Sequence, residues 1–346
     1  MLFYVFLTII SSKLQYIIGI DCGATASEAV ISTHLIIPSK KAQRDLLRKR
    51  IPPGIITMTL PKKYPPVNFN ILGFELTADR LIHIIKDISK SAGLKNVLTV
   101  VAGVSGARYE KDRKKLESFI KNKTRIKHVK ILPDTEIAFA SAFPHVPKGT
   151  RAGKPGQTNC GILIAGTGSI LYYKDSKGKT NRVGGWGRLI GDEGSGWWIA
   201  RTALSHVTKN YDKRGKKTLL TELLKKHFSI NGNTIINKIY HEGFVLSKIA
   251  KIVFLAASKG DKICMDIIKS AASELAEHFF PVKNKKYTIA LMGSLFSEEK
   301  LLELELKKII KSEFPNISII KPNFKPVWGA VRIANSILGE ARQSHL

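Results

Sequence analysis

Three short stretches of this chain set glycine beside hydroxyl or carboxylate side chains, the first two directly after an apolar run. The first is Asp21-Cys22-Gly23-Ala24-Thr25-Ala26-Ser27, behind Ile17-Ile18-Gly19-Ile20. The second is Gly166-Thr167-Gly168-Ser169, behind Gly161-Ile162-Leu163-Ile164-Ala165. The third runs from Gly184 to Gly196 and holds six glycines, the adjacent carboxylates Asp192 and Glu193, and Ser195 in thirteen residues. Glycine costs backbone entropy, so a cluster marks places where the backbone must approach a ligand or take a positive φ. Amides and hydroxyls in such turns form an anion nest, and three of them point to phosphate chemistry. Asp21 stands where a hydrated Mg2+ could be held, a cation that takes one or two carboxylates plus phosphate oxygens. The Gly166 turn is not a Walker loop, because no Gly-Lys-[Ser/Thr] follows. It also lacks the third glycine and the immediate helix of a dinucleotide fingerprint.

Between the first two turns, Ile131-Leu132-Pro133-Asp134-Thr135-Glu136 ends a strand and opens a helix. Asp134 has two roles open to it. One is a helix cap in an acidic first turn. The other is a general base taking a proton from a substrate hydroxyl in phosphoryl transfer.

Positioning these turns calls for an α/β fold. Strands are expected at 15–21, 28–33, 97–103, 128–132, 160–165, 169–174, 287–292 and 316–320. Those at 97–101 and 161–165 are continuous apolar runs, as buried parallel strands are. Helices are expected at 75–92, 109–121, 135–143, 193–208, 217–227, 233–258, 262–280, 298–313 and 326–338. The order of strands, glycine turn and helices occurs twice, which predicts two lobes with a ligand in the cleft between them. The N-terminal lobe is expected over 15–150 and the C-terminal lobe over 158–338, with a helical insertion at 195–280. The helix at 326–338 is expected to pack back on the N-terminal lobe. Residues 34–66 are basic and proline-bearing with no strand pattern; an insertion, a basic flap and a sequence artefact all fit.

With 346 residues, 44% of them apolar, the chain can build two cores. Its three cysteines, Cys22, Cys160 and Cys264, are far apart and lack metal-ligand spacing. That argues against a zinc site or a disulfide framework and fits a reducing cytoplasm. The apolar residues 1–10 are too short to span a bilayer and lack a basic n-region, so no membrane partner is expected. A net charge of +29 would suit a polyanion. The basic residues are scattered along amphipathic segments such as 111–130 and 300–311, with no nucleic-acid-binding motif, so no specific nucleic acid is expected.

These motifs together resemble the actin/hexokinase/Hsp70 ATPase superfamily, and within it the N-acetylglucosamine kinase branch grouped with the BadF/BadG/BcrA/BcrD ATPases. The resemblance runs from about 15 to 338, apart from the basic stretch. Asp21-x-Gly23-x-Thr25-x-Ser27 is similar to the first phosphate motif, Gly166 to Ser169 to the second, and Leu291-Met292-Gly293-Ser294 to the adenosine motif. Gly184 to Gly196 resembles the branch's Gly-Gly-Trp-Gly-x-x-x-Gly-Asp-Glu-Gly-Ser signature. Asn68-Phe69-Asn70-Ile71-Leu72-Gly73 resembles its sugar-side segment, and Pro326-Val327-Trp328-Gly329-Ala330 its C-terminal helix start.

The resemblance implies a two-lobed actin-like ATPase (ribonuclease H-like) fold and an ATP-dependent amino-sugar kinase. Asp134 would deprotonate the 6-hydroxyl of N-acetylglucosamine or a close relative. Gly23, Thr25, Ser27, Gly166, Thr167, Gly168 and Ser169 would hold the phosphates of ATP, and Asp21 would position Mg2+ through water. Asn68, Gly185, Trp186 and Asp192 would bind the sugar, with Gly293 and Ser294 flanking adenosine. Trp197 and Trp198 fit the core face of a helix start. Cys22 stands where glycine is usual and Ala26 where a basic residue is usual, and Gly293-Ser294 replaces a Gly-Gly pair. A homodimer is the expected assembly. Two other functions share the fold: an ATPase that activates a dehydratase or reductase, and a non-catalytic sugar sensor.

Overall fold

The computed structural model describes residues 15–33, 56–57, 61–143, 159–322 and 324–343. The apolar segment 1–10, most of the basic stretch 34–66 and the loop 144–157 lie outside the described residues. The chain divides into two compact units, one of residues up to Val146 and from Pro322 onward, the other from Pro147 to Lys321.

In the first unit a hairpin of β1 (Tyr16–Cys22) and β2 (Ser27–Thr33) is antiparallel, while β1 is flanked on its other side by parallel β5 (Val97–Val104) and then β6 (His128–Pro133). Short β3 (Ile56–Thr57) and β4 (Lys62–Tyr64) pair with β2. Apolar residues fill both faces of β1 and β5, and the sheet is covered on both sides. Tyr16, Ile18, Ile20 and Cys22 meet α1 (Phe69–Ile88) and α2 (Glu110–Thr124) through Leu81, Ile85, Leu116 and Ile120. Ile17, Val30 and Val101 meet α3 (Asp134–Ala142) and the last helix of the chain through Ile137, Val327, Trp328 and Val331.

The second unit repeats the scheme. A meander of β7 (Cys160–Ala165), β8 (Ser169–Lys174) and β9 (Thr180–Gly184) is followed, beyond β7, by parallel β10 (Tyr287–Met292) and β11 (Ile317–Ile320). Between β9 and β10 the chain forms α4 (Gly196–Tyr211), α5 (Leu219–Phe228), α6 (Ile235–Tyr240), α7 (Ile249–Ser258) and α8 (Lys262–Glu277). Then come α9 (Ser294–Glu298) and α10 (Lys300–Glu313), and α11 (Pro326–Gln343) returns to the first unit. Leu163, Leu171, Ile199, Ala203, Ile268 and Leu275 share one buried core.

Three expectations are corrected. The helix expected at 233–258 is broken into α6 and α7, because Gly243 takes φ +63 between them. The helix expected from 75 starts at Phe69, and Gly73 with φ +70 kinks it. β9 was not anticipated; Asn181-Arg182-Val183 is too polar and short to announce a strand, and it is recruited as an edge by β8.

Helices α3 and α11 cross at Gly329. A Cβ there would collide with the Ile137 carbonyl oxygen and lie 2.8 Å from the Ser141 amide. Gly19 likewise lies under Val331, whose Cγ2 would be 2.7 Å from an added Cβ. Gly329→Ala is therefore expected to lower stability by about 1–3 kcal/mol, the usual cost of overpacking, measured as a shift in the urea midpoint with the slope unchanged.

Candidate active site

Strands β1, β5 and β6 run parallel and end together, and open α/β sheets bind ligands at the carboxyl ends of their strands. Asp21, Ser105 and Asp134 lie there, at or just past the ends of β1, β5 and β6. Asp134 follows β6 without a gap and is the first residue of α3. Pro133 occupies the cap position and makes no side-chain cap bond. The Asp134 Oδ1 instead accepts the Thr135 amide at 2.9 Å, so the carboxylate sits on the positive end of the helix. Asn68 caps α1, accepting the Asn70 amide at 3.0 Å, and its Nδ2 donates to the Ser105 Oγ at 3.4 Å. The Ser105 amide donates to the Cys22 carbonyl at 3.0 Å, and the Phe69 amide donates to the Ser105 carbonyl at 2.9 Å.

The turn after Asp21 closes when the Gly23 amide donates to the Ala26 carbonyl at 3.0 Å. Thr25 and Ala26 are exposed and Gly23 half-buried. Cys22 and Ser27 face each other across the hairpin and are fully buried. Of the residues expected to contact phosphate, Ser27 therefore points into the packed interior, whereas Gly23 and Thr25 are open. The cysteine in the motif contributes packing: its side chain joins the α1–α2 core, and burial pushes its thiol far up.

The carboxylates here are short of compensation. Burial pushes the Asp21 carboxyl up to about 7, with Asp134 and Glu28 adding repulsion and Lys325 opposing them. Burial also raises Asp134, opposed by the Thr135 amide and by a hydrogen bond from the Ser105 hydroxyl. Glu28, opposite Asp21 in register, pairs with Lys325 at 2.8 Å. Among the described residues no three His, Cys, Asp or Glu side chains are grouped to cage a metal by themselves. A single carboxylate short of compensating charge beside an open glycine-hydroxyl turn is a donor set that Mg2+ can use, with water and phosphate completing its shell. Asp21 fits that role.

In the second unit three stretches meet at one end of the sheet. The β7–β8 turn closes on itself, the Gly166 amide donating to the Gly168 carbonyl at 2.9 Å. The start of α4 is tied to it, Gly196 N–H donating to the Gly166 carbonyl (2.8 Å) and Trp197 N–H to that of Thr167 (3.2 Å). Asp192 accepts the Ser169 amide at 3.3 Å, and its carboxylate lies against Gly168, where a Cβ would be 2.8 Å away. Burial raises its pKa. Asp192 holds φ +60, a strained setting for a non-glycine residue of the kind found at functional sites. The Ser169 hydroxyl is buried and donates to the Glu193 carbonyl at 2.6 Å. Gly293, at the end of β10, lies against the Ala165 backbone, and the Ser294 hydroxyl would be 3.6 Å from a Cβ on Gly166.

Gly184 and Gly185 take φ +71 and +66, turning the chain out of β9. Arg182 braces that turn, its guanidinium 4.4 Å from the Trp186 ring centroid and its Nη1 within 3.4 Å of both glycine carbonyls. Trp186 is 57% exposed. Trp197 and Trp198 begin α4, Trp198 packing against the core, and Ser195 caps that helix by accepting the Trp198 amide at 3.2 Å.

Sequence reasoning missed Ser105, Lys325 and Arg182. Ser105 carried a usable signal, since Gly103-Val104-Ser105-Gly106 closes a buried strand with a hydroxyl between glycines. Lys325 and Arg182 carried none, because nothing local distinguishes them from the other basic residues.

The sequence profile of the BadF/BadG/BcrA/BcrD ATPase family matches residues 18–334. The chain belongs to that family. It is 31% identical over 253 residues to the N-acetylmuramic acid/N-acetylglucosamine kinase of Clostridium acetobutylicum, covering 70% of this chain and 79% of that protein. It is 27% identical over 249 residues to the N-acetyl-D-glucosamine kinase of Dictyostelium discoideum, covering 68% and 75%. Among solved structures, a Chromobacterium violaceum protein provisionally named an N-acetylglucosamine kinase superposes with a TM-score of 0.69 at 16% identity, over 93% of this chain and 99% of that one. The fold is that of the actin-like sugar kinases.

The state of Asp21 has a thermodynamic consequence. Its folded pKa lies above the unfolded value of 3.8, so between those values the folded protein binds more protons. Stability therefore falls as pH rises from about 4 to about 7. Asp21→Asn is expected to flatten that decline and to raise stability at pH 8 by roughly 2–4 kcal/mol, at about 1.4 kcal/mol per pKa unit. Urea titrations in a chelator without nucleotide at pH 5 and pH 8 check this.

Proposed function

We propose that the protein is an ATP-dependent amino-sugar kinase acting on the 6-hydroxyl of N-acetylglucosamine or a close relative, with Asp134 as general base. One observation carries this reading: a desolvated carboxylate on a helix N-terminus at the carboxyl edge of the sheet, next to an open phosphate-type turn. The relative at 31% identity is a kinase of N-acetylmuramic acid and N-acetylglucosamine.

Asp134 takes the proton of the sugar hydroxyl as the oxygen attacks the γ-phosphorus, and the bond to the β-phosphate oxygen breaks to release ADP. Burial that lifts Asp134 toward working pH makes it a better base. Gly23, Thr25, Gly166, Thr167 and Gly168 offer backbone and hydroxyl donors to the phosphates. Ser27 and Ser169 serve by shaping the turns. Gly293 and Ser294 flank adenosine, and Asp21 carries the Mg2+ that accompanies ATP and offsets phosphate charge. Asn68, Gly185, Trp186 and Asp192 bind the sugar; buried carboxylates that hydrogen-bond hydroxyls discriminate where an apolar pocket cannot. The three buried, separately placed thiols favour a kinase over a cluster-bearing activator, whose cluster needs grouped thiolates, and fit a cytoplasmic enzyme. A homodimer is the assembly we assign it.

A coupled ADP-release assay across a panel of amino sugars tests the reading. Turnover is expected to depend on the sugar and to fall about 10²–10⁴-fold in Asp134→Asn, with nucleotide affinity retained. ATP hydrolysis indifferent to every sugar would assign the activator role instead.

A further inference from the structure

We propose that His278 is a positioning residue for the Gly184–Gly196 loop: its imidazole, at the end of α8, fixes the Gly184–Gly185 turn and through it Gly185 and Trp186. The inference rests on those two residues meeting the sugar. The loop leaves β9 and enters α4, and both of its ends rest on one face of α8. At the far end Gly194 takes φ +70, and a Cβ there would lie 2.5 Å from the Ala271 carbonyl oxygen and 2.6 Å from the Leu275 Cγ. At the near end Gly184 takes φ +71, and a Cβ there would collide with the His278 Nε2 and lie 2.9 Å from its Cδ2. His278 follows the last residue of α8 with helical dihedrals. Ala271, Leu275 and His278 are thus four and three residues apart, the spacing that stacks side chains on one side of a helix.

The His278 ring is 4% exposed. Its Nδ1 lies 3.1 Å from the Glu274 carbonyl oxygen, which can only accept, so Nδ1 carries a proton and donates. Burial holds the ring below the ordinary histidine range, against the pull of Glu193 and Glu277, and Nε2 is left as a lone pair. That atom is buried and finds no hydrogen-bond partner among the described residues. A buried acceptor without a donor is a cost that leucine or phenylalanine would avoid, so core filling does not account for a histidine here. Orientation does: the bond to Glu274 locks the ring plane, and no second bond draws the Nε2 edge away from Gly184. The turn is then clamped from three directions. His278 presses on Gly184, the Ser169 carbonyl accepts the Gly185 amide at 3.0 Å, and the Arg182 Nη1 reaches both glycine carbonyls. Arg182 also backs the Trp186 ring, so the place of that ring depends on the same turn.

The test is steady-state kinetics with N-acetylglucosamine in His278→Leu and His278→Asn. It is read beside acrylamide quenching of Trp186 in sugar-free protein, each variant being compared with its Trp186→Phe counterpart to isolate that ring. Leucine keeps apolar bulk without the locking bond. Asparagine keeps a donor for Glu274 without the ring edge, and it serves if the leucine protein does not fold. The KM for the sugar is expected to rise about ten-fold with kcat within about three-fold of wild type, the mark of binding lost alike in ground and transition states. The KM for ATP should stay within about two-fold, and the Trp186 quenching constant should rise as the ring loses its fixed seat. A folded leucine or asparagine protein with the wild-type KM for the sugar overturns the role of His278. So does a loss shared by kcat and both KM values with Trp186 quenching unchanged, which is general damage. Wild-type protein that turns over no amino sugar removes the proposed function and the sugar role together, while the quenching still reports whether His278 holds the turn.

Discussion

The close seating of α3 and α11 on one face of β1 and β5 is the constraint on which the first unit depends. Gly19, Gly103 and Gly329 remove side chains where the elements meet, and Ile137 and Val331 occupy the space. Because Asp134 opens α3 directly from β6, any displacement of that helix moves the carboxylate by the same amount. Displacements of about an ångström are enough to cost catalysis two orders of magnitude. The Lys325 ammonium is located in the same way, one residue ahead of α11. Packing that looks purely structural thus sets the positions of the acidic and basic groups at the sheet edge.

Those groups are costly to assemble. Asp21, Glu28 and Asp134 are brought together with one lysine, and burial leaves two of the three with raised pKa values. A protein selected for stability alone would dilute this charge. On the function proposed above, magnesium nucleotide and a hydroxylated sugar would bring the cations and donors that the cluster lacks. The second unit carries the same kind of expense as backbone strain, with Asp192 held at a left-handed φ so that its carboxylate lies over the β7–β8 turn.

Much of this could be read from the residues. The apolar runs at 97–101 and 161–165 announced buried parallel strands, and the glycine-hydroxyl turns fell at strand ends as their composition requires. Asp134 was legible as a strand-to-helix junction whose neighbours favoured a cap, whereas the structure puts Pro133 at the cap and makes Asp134 the first helical residue. Non-local contacts were hidden. Ser27 reads as a phosphate ligand in the linear motif, yet the antiparallel register pairs it with Cys22 and alternation turns both inward. Lys325 comes within reach of Glu28 only because a helix from the far end of the chain returns to β1. A left-handed glycine such as Gly243 breaks a helix without disturbing the apolar period that suggested it.

The chain leaves the first unit near Val146 and re-enters it only at Pro322. On the ribosome, Trp328 and Val331 therefore emerge after all of the second unit has been made. Until then Ile17, Val30 and Val101 present an apolar face covered only by α3, which is the kind of surface that nascent chains expose to chaperones and to one another. Pairing of Glu28 with Lys325 is correspondingly a late event in biogenesis, and truncations near the C-terminus uncover the strands made first.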